Sequence, residues 1–218
     1  MTPQTLRARG VLFDMDGTLV DSIARVEAFW LRFAAQYGLD PDAVLGFAHG
    51  RQAASTIHHF LGPDCDSDAI IAPIRTIPEV AGMTVPEIPG AARLLEQLAG
   101  ARIALVTSAV KEVAVDRLAE AGVPLPEVAV FAEDIAVGKP APDCFELGAE
   151  RLGIPPRECI VFEDAEAGIR AGLASGAQVV IVGEHESETT QGLPRVHDLT
   201  AVTATVHDDG TVTLTINR

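Results

Sequence analysis

The chain has 218 residues, 48% of them apolar, enough for one domain or for a core domain with a small insert. No apolar run approaches the roughly 18 residues of a membrane span, and residues 11–13, behind Arg7 and Arg9, are too short an apolar run for a secretory leader, so a cytoplasmic protein is expected. A net charge of −15 without a basic stripe excludes nucleic acid as a partner, and an anionic substrate would have to meet positive charge supplied inside its own site, by a lysine or a metal ion.

Residues 10–14 read as the first strand, running into Asp14-Met15-Asp16-Gly17-Thr18-Leu19. Two carboxylates two residues apart at the end of a buried strand can converge beyond its tip. One can then act as nucleophile and metal ligand while the other carries a proton. Gly17 permits a tight bend behind them. A calcium loop starting at Asp14 fails on spacing, because Leu19 stands where glycine is needed and Arg25 where glutamate is needed. Residues 21–86 are helical in pattern and hold no convincing strand. Asp21-Ser22 reads as the N-cap of a helix running to about Tyr37. Pro41, Pro63, Pro73 and Pro78 divide the rest into short helices, and residues 85–90 form a linker. His58 and His59 read as surface or packing residues.

From residue 102 onward, strands at 102–107, 128–131, 159–163 and 178–182 alternate with helices at 111–122, 143–153 and 165–175, each helix ending near a glycine. The strands are apolar throughout, as strands covered on both faces are. The alternation implies a doubly wound, Rossmann-like α/β parallel sheet formed by residues 1–20 and 87–218, with 21–86 as an all-helical insert. Residues 201–216 alternate around Asp208-Asp209-Gly210, the pattern of a C-terminal β-hairpin. Three cysteines, Cys65, Cys144 and Cys159, form no CxxC pair, so neither a disulfide framework nor a structural zinc site is expected.

Ligands of open α/β sheets bind beyond the carboxyl ends of the strands. Thr107 and Ser108 stand there with a hydroxyl and amides able to hold an anion, and can also cap the helix that begins near Lys111. Lys139, between Gly138 and Pro140, sits in a loop of fixed shape and reads as a placed cation. Glu163 and Asp164 end the strand at 159–163. Together with Asp14 and Asp16 they would repel unless a divalent cation sat among them, and an oxygen-only set suits Mg²⁺. Gly168, Gly172 and Gly176 fall at intervals of four, which reads as close helix packing and not as a dinucleotide fingerprint.

FDMDGTL, VTS, GKPAPD and FEDAEAG, in that order, resemble the four motifs of the haloacid dehalogenase superfamily. The insert after the first motif resembles its small helical cap. The resemblance implies that Asp14 is a nucleophile forming an aspartyl-phosphate and that Asp16 protonates the leaving oxygen and then activates water. It also implies that Thr107, the Ser108 amide and Lys139 hold the phosphoryl group. Mg²⁺ would lie on Asp14, the Asp16 carbonyl and Asp164, with Glu163 beside it directly or through water. Ala28-Phe29-Trp30, the stretch ending in His49-Gly50-Arg51, and the hairpin around Asp209-Gly210 are similar to the sugar and polyol phosphatases of that superfamily, a group that takes in hexitol, 2-deoxyglucose-6-phosphate and glycerol phosphate phosphatases. In that reading His49, Gly50 and Arg51 reach the sugar. The expected partner is a small phosphate ester, with no membrane, nucleic acid or obligate protein partner. A sugar phosphomutase of the β-phosphoglucomutase type and a phosphoglycolate phosphatase are the alternatives. The presence of both Asp14 and Asp16 speaks against a non-catalytic phosphate-binding module.

Overall fold

The computed structural model describes residues 3–217; Met1, Thr2 and Arg218, which the expected core boundaries take in, lie outside the described residues. Two strands open the chain, β1 (Gln4–Ala8) and β2 (Gly10–Phe13), and they join different sheets. Five helices follow, α1 (Ile23–Tyr37), α2 (Pro41–Ala48), α3 (Ala53–Leu61), α4 (Ser67–Arg75) and α5 (Pro78–Ala81). Alternation then sets in with α6 (Ala91–Gln97), β3 (Arg102–Val106), α7 (Lys111–Ala121), β4 (Val128–Val130) and α8 (Asp143–Arg151). It continues through β5 (Cys159–Glu163), α9 (Glu166–Ala174), β6 (Gln178–Val182) and the two-residue β7 (Arg195–Val196). The hairpin β8 (Val202–Val206) and β9 (Val212–Ile216) ends the described chain.

Strands β2 to β7 make one parallel sheet in the order β4-β3-β2-β5-β6-β7. Its strands are apolar on both sides because both faces are covered. Val11, Phe13, Leu105 and Phe162 pack with α6 and α7 on one face, and Leu12, Ala104, Val106 and Val161 with α8 and α9 on the other. The Phe13 and Phe162 rings stack 5.0 Å apart across the β2–β5 pair. Since β2 lies between β3 and β5, the chain turns to opposite sides of the sheet at its tip, which is where a crevice opens in a doubly wound sheet.

The C-terminal hairpin is not alone. β1 pairs antiparallel with β9, giving a three-stranded sheet in the order β1-β9-β8. A lone hairpin is marginal in water, and a third strand closes its open edge. β1, β7 and α6 are elements that residue patterns did not reveal. β1 is short and mixed in character, β7 has two residues, and α6 has only seven.

Helices α1 to α5 bury a core of their own, built from Phe29, Trp30, Phe33, Ala34, Val44, Ile57, Ile74 and Val80. His59 stacks on the Phe47 ring at 3.9 Å and a ring nitrogen of His58 meets the Cys65 carbonyl at 3.3 Å, so both are packing residues. All three cysteines are free. No helix among the described residues is long and apolar enough to cross a membrane.

Candidate active site

The tip of β2 carries Asp14, whose amide still donates to Phe162 O at 3.0 Å, so the aspartate is held in register with β5. Behind it the chain folds back tightly. Met15 O accepts from the amides of Thr18, Leu19 and Val20 at 3.2, 2.8 and 3.0 Å. Gly17 has φ +80°, and a Cβ there would fall 2.1 Å from Asp164 Oδ2. Glycine at this position therefore serves two ends, a left-handed turn and the close approach of the loop to Asp164.

Lys139 reaches the same point from the loop after β4. Its side chain is buried, with Nζ donating to Asp14 Oδ1, to Glu163 Oε1 at 2.8 Å and to Val106 O at 3.3 Å, and lying 5.0 Å from the centre of the Phe145 ring. The Lys139–Pro140 peptide is cis. Glu163, wholly buried, also accepts from the Ala165 amide at 2.8 Å on its other oxygen. Asp14, Glu163 and Asp164 each offer a carboxylate oxygen within 4.8 Å of the others. Burial pushes the Asp14 carboxyl up to about 8, Lys139 pulling against it and Glu163 adding to it. Asp164 is raised by the same burial and by Glu163 and Asp14. Burial alone would lower Lys139, but Asp14 and Glu163 override it and keep the ammonium charged.

Helix α9 is shaped around this cluster. At Gly168 a Cβ would come within 1.5 Å of Glu163 Oε1, and at Gly172 within 2.9 Å of Val179 Cγ2. Gly168 is thus a seat for a carboxylate and Gly172 a contact with the sheet. Gly168→Ala is expected to destabilise the fold by about 3 kcal/mol or more, because Glu163 is driven from both of its donors. An exposed helical glycine changed to alanine gains up to about 1 kcal/mol instead. Urea unfolding of the variant checks the sign.

Asp16 stands apart from that cluster. Its Oδ1 accepts from Ser22 Oγ and from Arg117 Nη1, the latter at 2.6 Å. Ser22 holds the N-cap position of α1, as the Asp21-Ser22 pattern predicts, but its side chain makes no cap hydrogen bond, because its hydroxyl is turned to Asp16. Thr107 and Ser108 likewise do not cap α7: Val110 holds the cap position, and the Lys111 amide donates to Glu133 at 3.0 Å. Thr107 is buried, and its Oγ1 accepts from the Ala109 amide at 3.1 Å, which leaves its hydroxyl proton free for an acceptor.

The turn after α2 closes over these loops. Gly50, at φ +74°, lets the turn bend, and its carbonyl accepts from Ser108 Oγ at 2.8 Å. Arg51 Nη1 donates to Lys139 O at 3.3 Å, with the guanidinium 4.4 Å over Phe47. Burial, with Arg170 nearby, lowers its pKa. Gln52 Nε2 donates to Ala132 O at 3.1 Å. His49 is half-buried, 3.7 Å from Glu27. A cleft of about 540 Å³ runs between the two units, lined by Asp14, Asp16, Thr107, Ser108, Arg117 and Asp164 on the sheet side and by Phe29, Trp30, His49 and Arg51 on the helical side. Residue patterns missed Ser22, Gln52 and Arg117. Arg117 did leave a signal, since it stands three residues after buried Ala114 and next to buried Leu118, a place where a charge needs a partner.

Residues 8–176 match the family model of the haloacid dehalogenase-like hydrolases. The chain is 41% identical to hexitol phosphatase A of Escherichia coli over 95% of its length and 99% of that protein. It is 32% identical to glycerol-1-phosphate phosphohydrolase 1 of Saccharomyces cerevisiae, over 82% of this chain and 76% of the relative. Among solved structures, a hydrolase from Pseudomonas syringae superposes with a TM-score of 0.74 at 23% identity, over 88% of this chain and 96% of that one, which bears on the fold alone. With a family model spanning β2 to the end of α9 and a relative aligned along nearly its whole length, the chain belongs to the haloacid dehalogenase-like hydrolases.

Proposed function

We propose that the chain is a Mg²⁺-dependent phosphatase of small sugar or polyol phosphates, acting through an aspartyl-phosphate on Asp14. The observation that carries this reading is a buried nucleophile candidate, Asp14, gripped by a buried lysine at the floor of a cleft. The name of the 41%-identical relative, a hexitol phosphatase, supports the substrate class.

A carboxylate oxygen of Asp14 attacks phosphorus while the bond from phosphorus to the substrate oxygen breaks. Asp16 gives that oxygen its proton, then takes a proton from the water that attacks the acyl phosphate, and Asp14 is regenerated as free phosphate leaves. The Thr107 hydroxyl, the Ser108 amide and the Lys139 ammonium hold the phosphoryl oxygens. The donors fit a hard divalent cation, since buried carboxyls raised by burial and by one another would be kept ionised by it. Asp14, Asp164 and the Asp16 carbonyl would hold Mg²⁺, with Glu163 beside them. When bound, it supplies positive charge to the phosphoryl oxygens. Residues 21–86 act as a cap that excludes bulk water, and His49, Gly50 and Arg51 select the substrate.

A screen of phosphate release across hexose, hexitol, glycerol and glycolate phosphates tests this. At least one hexose or hexitol phosphate is expected to release phosphate, with EDTA lowering the rate by about 10³-fold or more. Isomerisation without free phosphate, in the presence of a sugar bisphosphate, would make the chain a mutase instead.

A further inference from the structure

The donors to Asp16 come from opposite sides of the molecule. Ser22 lies on the segment entering α1, whereas Arg117 belongs to α7, a helix anchored in the sheet core by Ala114 and Leu118. Only 16% of the Arg117 side chain is exposed, so its charge is not that of a solvated surface arginine. One turn further along α7, Glu120 accepts from the Arg25 guanidinium of α1 at 3.0 Å and from the Val85 amide at 2.8 Å. Burial alone would raise Glu120, but Val85 and Arg25 hold it below the usual carboxylate range. A single turn of α7 therefore grips Asp16, the first turn of α1 and, at Val85, the segment that returns to the sheet.

We infer that Arg117 is a positioning residue for Asp16, setting its carboxylate against the leaving oxygen. The inference rests on the proton-carrying role proposed for Asp16. Both donors converge on Oδ1, so Oδ2 is the oxygen left to meet the substrate. Arg117 Nη1 meets Oδ1 through a charge-assisted hydrogen bond of 2.6 Å, a stronger restraint on the carboxylate than a freely rotating neutral hydroxyl supplies. In the first step the Oδ2 proton passes to the leaving oxygen as its bond to phosphorus breaks and the bond to Asp14 forms. In the second, the water that bonds to phosphorus returns a proton to Oδ2. A misplacement of about 1 Å loses roughly 100-fold in rate. A leaving group that departs as a stable anion, such as 4-nitrophenolate, needs no proton and escapes that loss in the first step, whereas the second step is common to both substrates.

Kinetics of Arg117→Ala and Arg117→Lys on a turned-over sugar phosphate and on 4-nitrophenyl phosphate test the inference, the first step on the latter being read as single-turnover release of 4-nitrophenolate. Arg117→Ala is expected to lower kcat on the sugar phosphate by about 30- to 100-fold and the single-turnover release of 4-nitrophenolate by less than about 3-fold, with KM for the sugar phosphate little changed. Arg117→Lys is expected to bring the sugar phosphate rate back to within about 10-fold of wild type. An equal fall in sugar phosphate turnover and in single-turnover release of 4-nitrophenolate, a rise in KM at constant kcat, or no recovery with lysine overturns the inference. If thermal melting shows Arg117→Ala unfolded, Arg117→Gln against Arg117→Lys carries the same comparison. A wild type that releases phosphate from no ester overturns the phosphatase reading itself, an outcome distinct from all of these.

Discussion

Asp14→Asn is expected to abolish phosphate release, by at least about 10⁴-fold, while leaving the fold intact. The amide keeps the shape of the carboxylate but cannot form the acyl phosphate. The fold should survive because the loop around residue 14 is held by its backbone: the Asp14 amide to Phe162, and the three amides converging on Met15 O. Stability gives a second and independent readout. The folded chain keeps the Asp14 carboxyl protonated up to about 8, whereas the unfolded chain releases that proton near 3.8. Between those values the folded state binds more protons, so the wild type loses stability as pH rises through that window. Asn carries no such proton. In EDTA at about pH 8 the variant should therefore melt no lower than the wild type, and its melting temperature should depend less on pH. Substantial turnover in the variant would sink the nucleophile assignment, and a large loss of stability would show that Asp14 is held in place for the fold.

The parallel core was legible because its strands other than the two-residue β7 are mainly apolar runs covered on both faces. Residues 159–163 and 178–182 read as strands and are β5 and β6 to the residue. Strand ends at 107 and 131 fell one residue late, where Thr107 and Phe131 leave the ladder. β1 was not legible, since its pairing with β9 joins the two ends of the chain and no local pattern encodes a contact across some 200 residues. The site was legible at its motif positions, because Asp14, Lys139, Glu163 and Asp164 sit where strand tips and a glycine–proline loop force them together. What stayed hidden was the direction of donors. Ser22 looks like a helix cap, and only the fold reveals that its hydroxyl turns to Asp16. Gln52 and Arg117 reach the site from elements far away in sequence, and their partners are backbone carbonyls or a carboxylate that no spacing rule connects to them.

Lys139→Met should lower turnover by about 10³-fold or more and also destabilise the fold. Lys139 is the ammonium set between Asp14 and Glu163, and its side chain is only 1% exposed. Methionine has nearly the same length and would rest acceptably against the Phe145 ring, so the substitution removes charge and donors with little change of shape. The buried Asp14 and Glu163 side chains then face each other without a cation. Breaking a buried pair in this way costs about 3–5 kcal/mol, because the remaining charge stays desolvated. The sign of the pH dependence follows from Asp14. Without the lowering pull of Lys139, its carboxyl rises further above the ordinary range, so the folded variant holds the proton to higher pH than the wild type does. The stability deficit in EDTA should therefore be nearly constant between about pH 5 and pH 7 and grow above about pH 8, where the folded wild type releases the Asp14 proton and the folded variant still holds it. Added Mg²⁺ should recover more stability in the variant than in the wild type, since the acidic cluster has then lost its only other buried cation among the described residues, yet it should not recover turnover, which needs the ammonium on the phosphoryl oxygens. Urea unfolding at about pH 7 and about pH 9.5, with and without Mg²⁺, separates these contributions. A deficit independent of pH, or equal stabilisation of both proteins by Mg²⁺, would mean that Lys139 does not balance the Asp14 and Glu163 carboxylates.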